Sequence, residues 1–171
     1  MNRMTVDEYQ HSEKIPLLVI LDNVRSQHNI GAVFRTADAF RLSGLYLCGC
    51  CATPPNQEIH KTALGAEVTV DWEFFDDTRM AVSKAKEYGY KIFAIEQAHD
   101  SIMLQDFRCS PADKIAIILG HEVFGVQQEV IDMADGCIEI PQYGTKHSLN
   151  VSVAAGIVMY NISNQLNDTL K

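Results

Sequence analysis

Five short stretches of this chain are apolar almost residue by residue: Leu17-Leu18-Val19-Ile20-Leu21, Leu45-Tyr46-Leu47-Cys48, Lys91-Ile92-Phe93-Ala94-Ile95, Ile115-Ala116-Ile117-Ile118-Leu119 and Cys137-Ile138-Glu139-Ile140. A strand with one wet face alternates apolar and polar residues. A strand that is apolar throughout must be covered on both faces. Between these runs lie amphipathic stretches with helical spacing. Residues 29–40 carry Ile30, Val33, Phe34 and Ala37 on one face. Asp76-Asp77-Thr78 caps a second helix reaching about Tyr88, a third covers 127–134, and a long final one runs over 149–166. Residues 68–70 read as a short strand, 50–60 with Pro54-Pro55 as a loop, and 96–113 as a helix-poor stretch. Strands buried on both faces and interleaved with helices imply an α/β fold, a parallel sheet flanked by helices. Ligands of such sheets sit beyond the carboxyl ends of the strands. The loops after Leu21, Cys48, Ile95, Leu119 and Ile140 are therefore where chemistry is expected.

The 171 residues suit a single domain spanning 1–171. A chain of this size buries roughly 68–70% of its unfolded surface and needs no disulfide or metal to fold. The first 14 residues form a polar lead-in, not a secretory signal, and the longest apolar run, 15–21, is too short to span a bilayer. The expectation is a cytoplasmic protein without membrane attachment. The net charge of −8 argues at first against a polyanionic partner. Its distribution weakens that inference: residues 1–60 carry −1, residues 61–140 carry −8 and residues 141–171 carry +1. Five cysteines show no framework spacing. Cys48 and Cys51 form a C-x-x-C without two further metal ligands nearby, so small half-buried strand-end thiols are expected, a redox pair is the alternative, and no metal is.

Three segments place unusual residues at strand ends. In the first, residues 23–35, a strand feeds a polar loop and a helix start with Asn29 as its cap. Arg35 follows six residues on, nearly two turns, with its side chain expected at a neighbouring angle, where it could hold a phosphate or carboxylate bidentately. A solvent-facing arginine is the plainer alternative. The second, Leu119-Gly120-His121-Glu122-Val123-Phe124-Gly125, sets two glycines and a carboxylate after the most apolar strand; it is neither a dinucleotide fingerprint nor a Walker loop. The third runs from Ile140-Pro141-Gln142 through Gly144 to Ser148-Leu149-Asn150-Val151-Ser152, where small hydrogen-bonding residues open the last helix. Capping explains part of that pattern. The six histidines show no paired metal spacing, and the Glu96-Gln97 pair after its strand fits no motif.

In this order the three segments resemble the motifs of the SpoU family of RNA 2′-O-ribose methyltransferases, the TrmH-like branch of the SPOUT superfamily. The carriers are Asn29-Ile30-Gly31-Ala32 with Arg35-Thr36-Ala37-Asp38-Ala39-Phe40, Leu119-Gly120-His121-Glu122 with Gly125, and Ile140-Pro141 with Gly144 and residues 148–154. The resemblance spans about residues 17–161. It implies a C-terminal deep trefoil knot, which general folding rules disfavour. It also implies S-adenosylmethionine as cofactor, held by Leu119, Gly120, Ile140, Gln142, Ser148 and Leu149, and a homodimer to which Ala154-Ala155-Gly156 and the first-motif helix would contribute. The substrate implied is the ribose 2′-hydroxyl of tRNA or rRNA. Arg35 is implied as the catalytic residue, with Asn29, Glu122, Ser148 and Asn150 arranging it and the substrate. The family proposal makes this arginine a general base. A guanidinium stays protonated, so gripping the target phosphate and stabilising the developing alkoxide suits it better.

Arg41 stands where the family commonly has glycine, and Gln142 where methionine is common. No separate RNA-binding domain is expected before Leu17, so target choice would rest on the catalytic domain, the N-terminal segment or a partner. A catalytically silent RNA- or cofactor-binding module of the same fold is the alternative, and a nucleotide-binding protein with redox thiols at Cys48 and Cys51 a third. Arg3, Lys14, Arg25, Arg35, Arg41 and Lys146, with His28 and His147, could form a local positive face, and the whole-chain charge then implies weak non-specific RNA affinity.

Overall fold

A computed structural model describes residues 3–167. Seven parallel strands form one sheet: β1 (Ile15–Asp22), β2 (Leu42–Cys48), β3 (Trp72–Phe75), β4 (Lys91–Ile95), β5 (Ile102–Met103), β6 (Ile115–Gly120) and β7 (Gly136–Glu139). Their order across the sheet is β3-β2-β1-β6-β4-β7-β5. The helices are α1 (Val6–His11), α2 (Gln27–Ala39), α3 (Gln57–Ala63), α4 (Ala66–Thr69), α5 (Thr78–Glu87), α6 (Gln128–Met133) and α7 (Val151–Leu166). None is long and apolar enough to cross a membrane among the described residues.

Coverage on both faces follows from the alternation along β1. Leu17, Val19 and Leu21 join Ile30, Phe34, Val158 and Ile162 of α2 and α7 in one apolar cluster. Leu18 and Ile20 point the other way, into a cluster with Val82 and Ala85 of α5 and Val130 of α6. All five β1 residues are essentially inaccessible to water. Burying one such Leu or Ile side chain stabilises the fold by about 1.5–3 kcal/mol.

Several local expectations are corrected. The lead-in contains α1, and its start was readable: Thr5 accepts from the Glu8 amide while the Glu8 carboxylate accepts from the Thr5 amide, a complete capping box. The cap of α2 is Ser26, not Asn29; Ser26 Oγ accepts from the Asn29 amide, so the helix starts earlier and Asn29 lies inside its first turn. Residues 66–69 are helix α4, and the strand expected at 68–70 lies instead at Trp72–Phe75, because the left-handed Leu64 and Gly65 launch another helical turn. The loop expected at 50–60 ends where Asn56 caps α3. The stretch before Asp113 holds β5 and a short 3-10 turn at Leu104–Asp106. The last helix starts at Val151, capped by Asn150, and not at 149. Arg41, where the resemblance expects glycine, has φ of 52°, the left-handed conformation that glycine adopts without strain.

Candidate functional site

A cavity of about 540 Å³ opens at the carboxyl ends of β4, β6 and β7. Its size suits a ligand of drug or cofactor dimensions. All six residues expected to hold a cofactor line it: Leu119, Gly120, Ile140, Gln142, Ser148 and Leu149. Glu122 and Asn150 line it too. Ile95, Leu119, Ile138 and Ile140 supply apolar patches in a lining that also carries Glu96, Gln97, His121, Gln142 and His147. Gly120 is required by close packing: a Cβ there would lie 2.1 Å from the Gly125 carbonyl carbon. His121 and Gly125 exchange backbone hydrogen bonds of 3.0 and 2.8 Å, folding residues 121–125 into a tight loop over that contact.

A chain of hydrogen bonds joins the three segments. Glu122, from the loop after β6, accepts from the Ser26 amide at 2.9 Å and the Arg25 amide at 3.1 Å, just before α2. It also accepts from Asn29 Nδ2 at 3.5 Å. Asn29 Oδ1 in turn accepts from Asn150 Nδ2 at 3.2 Å. Asn150 Oδ1 caps α7, accepting from the Ser152 and Val153 amides and from Ser152 Oγ. Residues some 90 to 120 positions apart in sequence are thereby held as one polar unit at the cavity rim. Partial burial pushes the Glu122 carboxyl up, but the hydrogen bonds from Ser26, Arg25 and Asn29 outweigh it and hold its pKa below the ordinary carboxylate value.

Ser148 lines the cavity without a hydrogen bond to other described residues. Arg35 is exposed, lies outside the cavity lining, and has no hydrogen-bond or ion-pair partner among the described residues. The neighbouring angle expected for it and Asn29 is corrected by helix geometry: six residues leave the two about 120° apart. The positive face shrinks. Lys14 Nζ bonds the carbonyls of Tyr9 and Ser12, and His28 Nε2 lies 2.7 Å from Glu58. Arg25, Arg35, Arg41 and Lys146 keep unpaired side chains among the described residues. Ala155 lies in the core and Ala154 lines the cavity, so of the small-residue stretch only Gly156 opens to free space.

The C-x-x-C thiols are fully buried, not half-buried: Cys48 and Cys51 sit in the core, and burial raises both, Cys51 to about 11. Buried thiols held protonated at neutral pH are poor redox centres. No group of His, Cys, Asp and Glu able to hold a metal occurs among the described residues. Sequence reasoning missed Asp22. It is completely buried at the end of β1 and accepts from Thr78 Oγ1 (2.6 Å), the Gln127 amide (2.8 Å), Gln127 Nε2 (2.9 Å) and Asn23 Nδ2 (3.0 Å). The signal was available: a carboxylate directly closing the first apolar run.

Residues 16–160 match the model of the SpoU rRNA Methylase family. The 23S rRNA (guanosine-2′-O-)-methyltransferase RlmB of Neisseria meningitidis serogroup B is 31% identical over 153 residues, covering 90% of this chain and 60% of that protein. The tRNA (guanosine(18)-2′-O)-methyltransferase of Thermus thermophilus is 31% identical over 164 residues, covering 95% of this chain and 82% of that protein. Among solved structures, the AdoMet-bound rRNA methyltransferase from Sinorhizobium meliloti superposes with a TM-score of 0.82 at 25% identity, covering 95% of this chain and 60% of that one. The chain thus spans about three fifths of the first relative and of this structure, and four fifths of the second relative.

Proposed function

The chain belongs to the SpoU rRNA Methylase family, and from that premise we propose that it is an S-adenosylmethionine-dependent enzyme that methylates a ribose 2′-hydroxyl of tRNA or rRNA. The observation that carries the reading is the hydrogen-bonded unit Glu122–Asn29–Asn150 on the rim of the cavity. It joins all three sequence motifs beside the space where a cofactor fits. Relatives named as guanosine 2′-O-methyltransferases and a neighbour bound to AdoMet support the same chemistry.

The cavity fits the cofactor on its own features. Apolar walls from Leu119, Ile138 and Ile140 suit a purine face, and the carbonyls and amides of the 119–122 and 140–149 loops suit its polar edges. When bound, S-adenosylmethionine supplies a methyl group on a positively charged sulfur. Leu119, Gly120, Ile140, Gln142, Ser148 and Leu149 hold it there. Glu122 fixes the start of α2 through the Arg25 and Ser26 amides, and so sets where the whole helix, Arg35 included, faces the RNA. Asn29 and Asn150 lock that helix start to the start of α7. The unpaired Arg35 guanidinium grips the phosphate of the target nucleotide and stabilises negative charge growing on the 2′-oxygen, while phosphate or water takes the proton. Ser148, which lines the cavity without a partner among the described residues, bonds the substrate in this reading.

The same reading takes the described sheet and helices as one catalytic domain and the C-terminal segment as threaded in a deep trefoil knot. The knot is supported by the insertion of β7 between β4 and β5 and by the packing of α7 back on β1 and α2. It also takes the enzyme as a cytoplasmic homodimer. Val153, Ile157 and Tyr160 form an exposed apolar stripe along α7, with the Tyr160 ring 6.1 Å from that of Phe40 beside Gly156 and the end of α2, a surface suited to a second copy.

The test is mass-spectrometric mapping of 2′-O-methylation in total tRNA and rRNA with and without the gene, alongside transfer from labelled cofactor to the unmodified RNA by the purified protein. One nucleotide that loses its methyl group without the gene and regains it in vitro supports the proposal. Cofactor binding with no methylation of any cellular RNA favours a silent binding module instead.

A further inference from the structure

Two adjacent residues that no part of the mechanism uses, Glu96 and Gln97, follow β4 between the two loops of the cavity, and both line it. Each reaches a different loop. Glu96 Oε1 accepts from the Val126 amide at 2.7 Å, where the 121–126 loop turns back into the core. The Glu96 amide donates to the Ile138 carbonyl at 3.1 Å, which anchors the residue to β7. Gln97 Nε2 donates to the His147 carbonyl at 3.4 Å, in the loop ahead of α7. The fit around Glu96 is tight. Gly125 has φ of 68°, and a Cβ there would lie 2.2 Å from Glu96 Oε1. A glycine is therefore needed both for the turn and for the carboxylate.

The second carboxylate oxygen, Oε2, has no hydrogen-bond partner among the described residues, and Glu96 pairs with no Lys, Arg or His. A carboxylate bordering a cavity with one oxygen unused favours a ligand that presents a hydroxyl, amine or ammonium donor, and disfavours one that presents a phosphate there.

We propose that Glu96 is a positioning residue that ties the 121–126 loop to the end of β4 and, through Oε2, accepts a hydrogen bond from a hydroxyl or ammonium group of the cavity's ligand. The second half rests on the reading that this ligand is S-adenosylmethionine, which carries both kinds of donor. The first half stands without it.

Two substitutions in the full chain separate the halves. Glu96→Ala removes both functions. Glu96→Gln keeps an acceptor for the Val126 amide but replaces the other oxygen with an amide NH2 donor. Amide hydrogen exchange at Val126 in the ligand-free protein reads the tie, and titration calorimetry with S-adenosylmethionine reads the ligand contact. A melting curve for each variant confirms folding. In Glu96→Ala, exchange at Val126 rises and cofactor affinity falls, each about tenfold or more. In Glu96→Gln, Val126 keeps its protection while cofactor affinity still falls about tenfold. Unchanged Val126 exchange in Glu96→Ala overturns the tie. Wild-type affinity in Glu96→Gln overturns the ligand contact. A wild-type chain that does not bind the cofactor overturns the proposed function, and the ligand half with it, while the exchange result still decides the tie.

Discussion

Asn150 does two jobs with two ends of one amide, so two substitutions separate stability from activity. Its Oδ1 caps α7, accepting from the Ser152 amide at 2.9 Å and the Val153 amide at 3.3 Å. Its Nδ2 donates to Asn29 Oδ1 at 3.2 Å, the link that joins the start of α7 to α2 and onward to Glu122. Asn150→Ala loses both. The lost cap costs about 1 kcal/mol, with a range of roughly 0.5–2. For a chain of this size each kcal/mol lowers Tm by roughly 2–4 °C. Asn150→Asp keeps the acceptor for both amides and adds a negative charge at the helix N-terminus, worth about 0.3–1 kcal/mol in its favour. It should therefore melt at or slightly above the wild type. Its second oxygen, however, faces Asn29 Oδ1 with no proton between them. Asn29 can relieve that contact only by turning its amide, which withdraws its donor from Glu122. Asn150→Asp should thus be folded and stable yet slower in methyl transfer by about 10- to 100-fold, the scale of loss from a misplaced catalytic group. Thermal melts and transfer of labelled methyl to unmodified RNA read the two effects. A stable Asn150→Asp protein with wild-type turnover would refute the role of the Asn29–Asn150 link.

Four further outcomes are expected. Arg35→Ala should abolish transfer while calorimetry still detects cofactor binding, because Arg35 lies outside the cavity lining; Arg35→Lys should not restore more than a small fraction of turnover, since a lysine cannot grip phosphate bidentately. Glu122 has a folded-state pKa below its unfolded value, so its stabilising contribution is complete at neutral pH and is lost as pH falls through that depressed value; Glu122→Gln should flatten the acid side of the stability–pH curve below about pH 4.5, and an unchanged curve would contradict the assignment. Brief alkylation at neutral pH should label the exposed Cys50 while Cys48, Cys51 and Cys137 stay unmodified until the protein is denatured, as peptide mapping would show. Arg41→Gly should raise Tm by about 1–3 °C, because glycine holds the left-handed φ of 52° without the Cβ penalty.

Much of the architecture was legible because burial on both faces leaves no alternation, so runs such as 17–21 and 115–119 announce a parallel sheet on their own. Of the five strand ends where chemistry was expected, the loops after Ile95, Leu119 and Ile140 line the cavity, and those after Leu21 and Cys48 do not. Local signals misled where two nearby residues could perform the same task. Both Ser26 and Asn29 can cap a helix, and both Ser148 and Asn150 can open α7; at α2 the cap fell to Ser26 while Asn29 took up distant contacts, and at α7 it fell to Asn150, whose amide also reaches Asn29. Asn29 was free to lie inside the first turn of α2 because Glu122 and Asn150 hold its amide. Val68-Thr69-Val70 has strand composition, yet the left-handed residues before it start a helix, and composition carries no such information.

By itself the sequence determined the parallel sheet, its five apolar strands and the three segments that meet at the cavity rim, because hydrophobic period and residue type are local properties. Only the tertiary structure decided that Glu122, Asn29 and Asn150 form one hydrogen-bonded unit, that His28 is already engaged by Glu58, and that Glu96 ties down the loop ahead of Val126. Those are distances between atoms separated by tens of residues, and they are set by how parallel strands from remote parts of the chain come to lie side by side.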